Sequence, residues 1–126
     1  MLIPTATPEA PAAIGPYSQA VRFGNLLFTS GQIPLSPVTG EITGGNVAAQ
    51  AEQVLRNLEA ILKANGTGFG SVIKTTCFLT DMADYAAFNE VYARFFSACP
   101  ARTCVAVRAL PKNALCEIEA IAAIPE

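Results

Sequence analysis

Histidine is missing altogether: none of the 126 residues carries an imidazole. That excludes Ser-His-Asp and Cys-His nucleophile arrangements and removes the commonest ligand of a catalytic zinc, so no metal site is expected. Any acid or base work falls to Glu, Asp, Tyr, Lys or Cys. Charge is also scarce. Charged residues make up 14% of the chain against about 25% in an average soluble protein, while 52% are hydrophobic. Two readings fit that balance: an alanine-rich surface, or a surface partly buried in a homo-oligomer. The net charge of −2, the pI near 5.1 and the lack of any basic run argue against nucleic-acid binding through phosphate neutralisation.

Other absences narrow the setting. No apolar run approaches the ~20 residues of a membrane span. The N-terminus carries prolines at 4, 8, 11 and 16 and no positive charge before an apolar run, so it does not read as a signal peptide. The cysteines, Cys77, Cys99, Cys104 and Cys116, form neither Cys-x-x-Cys nor zinc-ribbon spacing. Three of them fall within strand-like runs, where cysteine acts as a small buried hydrophobe. A cytoplasmic, reduced protein of one domain, 1–126, is the expectation.

What is present divides cleanly. Residues 1–16 read as an extended lead-in. Tyr17 to Phe23 alternates, Gly24-Asn25 signals a tight hairpin, and a second strand runs from Leu26 to about Ile33. Counting back from that turn sets Tyr17 opposite Gln32, so Tyr17, Ser30 and Gly31 cluster at the open end. Ser30-Gly31 there is a plain strand end, a bulge, or a close approach of backbone to a ligand. After a Gly/Pro loop, Asn46 caps a helix with apolar residues Val47, Ala51, Val54, Leu55, Leu58, Ile61 and Leu62, closed by Gly66. Gln50, Gln53, Asn57 and their charged neighbours read as its solvated face. Ser71 to Thr80 is a third strand. Asp81 or Asp84 caps a second helix whose stripe is Tyr85, Phe88, Val91, Tyr92, Phe95 and Phe96; Asn89 falls beside it.

The stretch from Cys99 to Ile121 carries the most chemistry. It reads as two strands joined by Pro111-Lys112-Asn113, with Arg102 opening the first and Glu117 and Glu119 near the start of the second. Guanidinium and carboxylates on apolar strands are either a charge pair or a binding site. If the strands form a hairpin, Arg108 lies near Glu117 and Arg102 lies on the order of 17 Å away. One chain then cannot bring Arg102 and Glu117 together: either Arg102 acts alone or it meets a Glu117 from another subunit. The order β-β-α-β-α-β-β is an α+β domain with two helices on one face of the sheet. The uncovered face is a second argument for oligomerisation.

Several segments resemble one family. Pro-Ala-Ala-Ile-Gly-Pro-Tyr-Ser-Gln-Ala (11–20), Thr-Ser-Gly-Gln-Ile-Pro (29–34), Thr-Gly-Glu-Ile (39–42), Lys-Thr-Thr-Cys-Phe-Leu (74–79), Pro-Ala-Arg-Thr-Cys-Val (100–105), Leu-Pro-Lys (110–112) and Glu-Ile-Glu-Ala-Ile-Ala (117–122) resemble the Rid/YjgF family, and within it the RidA branch of 2-iminobutanoate/2-iminopropanoate deaminases. The resemblance implies a chorismate-mutase-like fold and a homotrimer with clefts between subunits. It implies hydrolysis of 2-imino acids or their enamines to 2-keto acids and ammonia, without a cofactor. Carried over residue by residue, Arg102 holds the substrate carboxylate, Glu117 positions the attacking water, Cys104 lines the pocket, and Tyr17, Ser30, Gly31 and Asn89 complete it. Glu119 is set aside on the same ground, since alternation alone leaves both glutamates on one face. The family also includes members credited with ribonuclease or translation-inhibiting activity, and a carboxylate-binding regulator without turnover would use the same pocket. Two departures fall at the pocket rim: the segment 96–99 is several residues shorter than in RidA proteins, and the loop before Asn46 is slightly longer.

Overall fold

The computed structural model describes residues 1–126 and consists of one six-stranded sheet with two helices. The strands are β1 (Leu2–Thr5), β2 (Ala20–Phe23), β3 (Leu26–Thr29), β4 (Val72–Leu79), β5 (Ala101–Ala106) and β6 (Cys116–Ala123). The helices are α1 (Val47–Ala64) and α2 (Tyr85–Phe95), and the sheet order is β1-β2-β3-β6-β4-β5. This α+β architecture agrees with the expected class, with one strand added at the N-terminus. The segment read as an extended lead-in begins with β1, which pairs antiparallel with β2. Three of its four residues are exposed and it carries Pro4, which an edge strand tolerates because one side of its backbone needs no partner.

The Gly24-Asn25 hairpin has the expected register, Ala20 opposite Thr29 and Phe23 opposite Leu26, with Gly24 at φ 62°. Regular pairing stops at Thr29, short of the expected Ile33, and only an isolated bridge from Gln32 to Ile118 continues it. Helix α1 starts where its sequence dictates. The Asn46 side chain accepts from the Ala49 N–H at 2.9 Å, and Gly66 adopts a left-handed φ of 72° just past the last turn. Its apolar stripe is buried against the sheet and α2, each fully buried Leu or Ile contributing about 1.5–3 kcal/mol.

The polar face of α1 departs from expectation: Gln50 and Asn57 are buried rather than solvated. Asn57 Nδ2 donates to the Ile33 and Leu35 carbonyls, and Gln50 links the Gly44 carbonyl to the Leu115 N–H. These amides replace the ladder hydrogen bonds that the irregular segment after β3 lacks.

The largest difference lies at the C-terminus. β5 and β6 do not form a hairpin. β4 lies between them, parallel to β5 and antiparallel to β6. Parallel neighbours need a crossover, and α2 supplies it between β4 and β5. The connection 107–115 then carries the chain past β4, turning on Lys112 and Asn113 at φ 56° and 57°. Arg108 forms no ion pair with Glu117; every salt bridge in the chain joins side chains on the outer surfaces of α1 and α2.

Alternation sorts the sheet residues by face. Thr75, Cys77 and Leu79 of β4 and Cys116, Ile118, Ala120 and Ala122 of β6 are buried beneath the helices. The opposite face carries Phe28, Thr76, Phe78, Val105, Glu117, Glu119 and Ile121, and no helix covers it.

Candidate active site

The sequence-derived site residues fall into two groups. One sits where the β2–β3 hairpin ends. Tyr17, Ser30, Gly31 and Glu117 line a concave pocket of about 340 Å³ together with Ile33, Leu35 and Pro111. The expected cluster of Tyr17, Ser30 and Gly31 is thus present, and β6 delivers Glu117 into it. Ser30 Oγ donates to the Ser18 carbonyl at 2.6 Å, so it turns lone pairs rather than a proton toward the pocket. Glu117 approaches Gly31 so closely that a Cβ there would run into its Oε2. Only glycine leaves that space free, and what comes close to the backbone at Gly31 is the Glu117 side chain. The Glu117 carboxyl titrates above its usual range, chiefly because burial disfavours its charge and further because Glu119 adds like charge.

The second group surrounds Arg102, on the edge strand β5 and beneath α2. Arg102 Nη1 donates to Asn89 Oδ1 at 2.7 Å, and Nη2 donates to Tyr85 Oη at 2.9 Å. The guanidinium lies over the Tyr92 ring, 4.8 Å from its centroid, and 5.6 Å from that of Tyr85. Tyr92 is fixed in turn: its hydroxyl is 2.7 Å from Thr75 Oγ1, which is fully buried. Every partner of Arg102 is neutral, so its charge is oriented but uncompensated, as a carboxylate receptor requires. Cys104 is half-buried on the same sheet face, and burial raises its thiol pKa despite the nearby guanidinium. A protonated thiol is a poor nucleophile. All four cysteines are free.

The two groups do not meet within the chain. Arg102 pairs with Thr75, and Glu117 with Phe78, on opposite sides of β4. A three-residue offset and two strand spacings separate them by about 14 Å, and the odd offset turns them to opposite faces. The hairpin premise was mistaken, yet its consequence stands: one chain does not bring Arg102 to Glu117.

Tyr92 is buried in the core as its place in the aromatic stripe implies, and Tyr85 packs against that core; what the stripe did not reveal is that both also touch Arg102. Their signal was spacing: Tyr85, Asn89 and Tyr92 follow i, i+4, i+7, with a polar atom at each position where a pure core stripe needs none. Pro111, Ile33 and Leu35 carried no chemical signal, because the pocket wall they form depends on nonlocal packing.

The family described as Endoribonuclease L-PSP matches residues 7–124. The chain is 53% identical to the RutC family protein y4sK of Sinorhizobium fredii, over 96% of this chain and 97% of that one. It is 52% identical to the 2-iminobutanoate/2-iminopropanoate deaminase of Escherichia coli, over 93% of this chain and 94% of that one. The crystal structure of E. coli TdcF with bound serine superposes with a TM-score of 0.91 at 49% identity, covering 96% of this chain and 98% of that one. With identity of this level along almost the whole length, and the same fold, the chain belongs to the Rid/YjgF family.

Proposed function

We propose that the protein is a cofactor-independent imine deaminase acting on 2-imino acids, with its sites formed between the subunits of a homotrimer. The observation that carries this reading is the Arg102 guanidinium, held by Asn89 and Tyr85, stacked over Tyr92 and lacking any acidic partner. A planar fork so held is matched to a planar carboxylate. The uncovered sheet face and the low charge content support assembly through that face. Assembly would bring Glu117 of one subunit to Arg102 of the next.

In this site Arg102 grips the carboxylate of R–C(=NH)–COO⁻, and Glu117 orients a water against the imine carbon. The water oxygen bonds to carbon, Glu117 takes its proton, and nitrogen gains the protons with which it leaves as ammonia. The products are R–CO–COO⁻ and NH₃, so water and imine account for every atom. The raised pKa of Glu117 suits a carboxylate that both accepts and returns a proton. Imines hydrolyse unaided, so acid/base positioning worth about 10²–10⁴-fold is sufficient.

The test is a threonine dehydratase reaction, whose imine product is released into solution: adding the protein is expected to speed 2-ketobutyrate formation, and Arg102→Ala is expected to abolish the effect. A binding protein without turnover is the second reading, favoured by the relative solved with bound serine; it predicts tight 2-keto acid binding and no rate effect. The ribonuclease reading that the family's description raises is opposed by the acidic pI and the absence of histidine.

A further inference from the structure

We infer that Tyr85 is a further substrate-binding residue, its hydroxyl donating to the same carboxylate that Arg102 grips. The inference rests on the carboxylate-binding role of Arg102 and adds a second donor to it. Two of the five guanidinium N–H groups are engaged, one by Asn89 and one by Tyr85, leaving three free, enough for a bidentate carboxylate. Tyr85 Oη accepts from Arg102 Nη2 at 2.9 Å, so its own hydrogen points away from the guanidinium. Within the chain that hydrogen has no acceptor, since Arg102 is the sole partner of Tyr85 Oη.

The contrast with Tyr92 sharpens the assignment. Both tyrosine rings flank the guanidinium, but the Tyr92 hydroxyl is spent on buried Thr75, whereas Tyr85 is only half-buried and its hydroxyl stands beside the fork. Accepting a bond from a cation also makes the phenol a stronger donor, because linked hydrogen bonds polarise one another. A carboxylate seated on Arg102 therefore lies within reach of two kinds of donor, a charged fork and a polarised phenol. Phenylalanine at this position would keep the ring and lose that donor.

The experiment measures 2-ketobutyrate binding by calorimetry to the intact protein and to Tyr85→Phe and Arg102→Ala. Kinetics on the imine from threonine dehydratase and a thermal melt accompany each variant. Tyr85→Phe is expected to melt like the wild type and to weaken 2-ketobutyrate binding about tenfold, as loss of one hydrogen bond to a charged group does. KM is expected to rise by a similar factor while kcat holds within about twofold. A tyrosine ultraviolet difference band on 2-ketobutyrate binding, reduced in Tyr85→Phe, reports the phenol contact itself, which a purely structural role would not move. If Arg102→Ala abolishes binding while Tyr85→Phe binds as the wild type does, Tyr85 has no such role and Arg102 keeps its own. Absence of 2-ketobutyrate binding by the wild type would instead overturn the carboxylate site, and the Tyr85 inference with it.

Discussion

Arg102 and Glu117 sit on opposite faces of one sheet, separated by β4 and by a three-residue offset along it. Each has its own supporting shell: Asn89, Tyr85 and Tyr92 for the guanidinium, Gly31 and the hairpin end for the carboxylate. The two groups do not meet within one chain, so the proposed site needs a neighbouring subunit to complete it.

Arg102→Lys is expected to fail almost as badly as Arg102→Ala. A lysine ammonium cannot reach Asn89 Oδ1 and Tyr85 Oη together while presenting a planar edge to substrate. Deaminase kcat/KM should fall by about a hundredfold or more in both variants, while the fold is retained, because Asn89 and Tyr85 are only partly buried and water can take the place of the lost guanidinium hydrogen bonds.

The pH dependence of activity should carry the signature of Glu117. Its raised pKa means that the base form appears only above the usual carboxylate range, so activity rises with pH through that shifted value. Glu119→Gln removes the lesser of the two causes, and the acidic limb of kcat/KM should move to lower pH with activity retained. Stability follows the same linkage. A folded pKa above the unfolded one gives stability present below the unfolded value and lost as pH rises through the folded value. Wild type should therefore lose stability across that window relative to Glu117→Gln, read by denaturant melts at matched pH.

Gly31→Ala tests the close approach directly. The added methyl displaces the Glu117 carboxylate from its position, and kcat should fall sharply. Gly68→Ala is the control: nothing lies within 4 Å of a Cβ there, its backbone is extended at φ −159°, and activity should be unchanged.

Asn57→Ala should destabilise the fold by about 1–3 kcal/mol, since it strips partners from the Ile33 and Leu35 carbonyls. Ile33 and Leu35 line the pocket, so KM should rise as well; urea unfolding and steady-state kinetics on the same preparation check both.

Legibility tracked locality. Asn46, Gly66 and the Gly24-Asn25 turn each specify their geometry within a few residues, and the α1 bounds and the β2–β3 register follow. Strand β1 was hidden because an exposed edge strand with Pro4 has neither alternation nor burial to betray it. The placement of β6 between β3 and β4 depends on pairings far apart in sequence, and the Pro111-Lys112-Asn113 turn gave a false hairpin signal. Buried Gln50 and Asn57 were misread for a related reason: their partners at 33–44 and 115 lie on irregular backbone that no periodicity locates. The clustering of Tyr17, Ser30 and Gly31 was legible because the Gly24-Asn25 turn fixes the hairpin register, whereas the contact of Tyr85 with Arg102 was masked by an aromatic stripe.

The measurement closest to the central claim is complementation between two inactive variants. Arg102→Ala and Glu117→Ala are purified separately, unfolded, mixed in equal amounts and refolded together. If the site joins Arg102 of one subunit to Glu117 of the next, random mixing in a ring restores about a quarter of the intact sites. Deaminase activity should return to about that fraction of wild type, while each variant refolded alone stays inactive. A mixture as inactive as its components, despite forming mixed oligomers, would contradict the account.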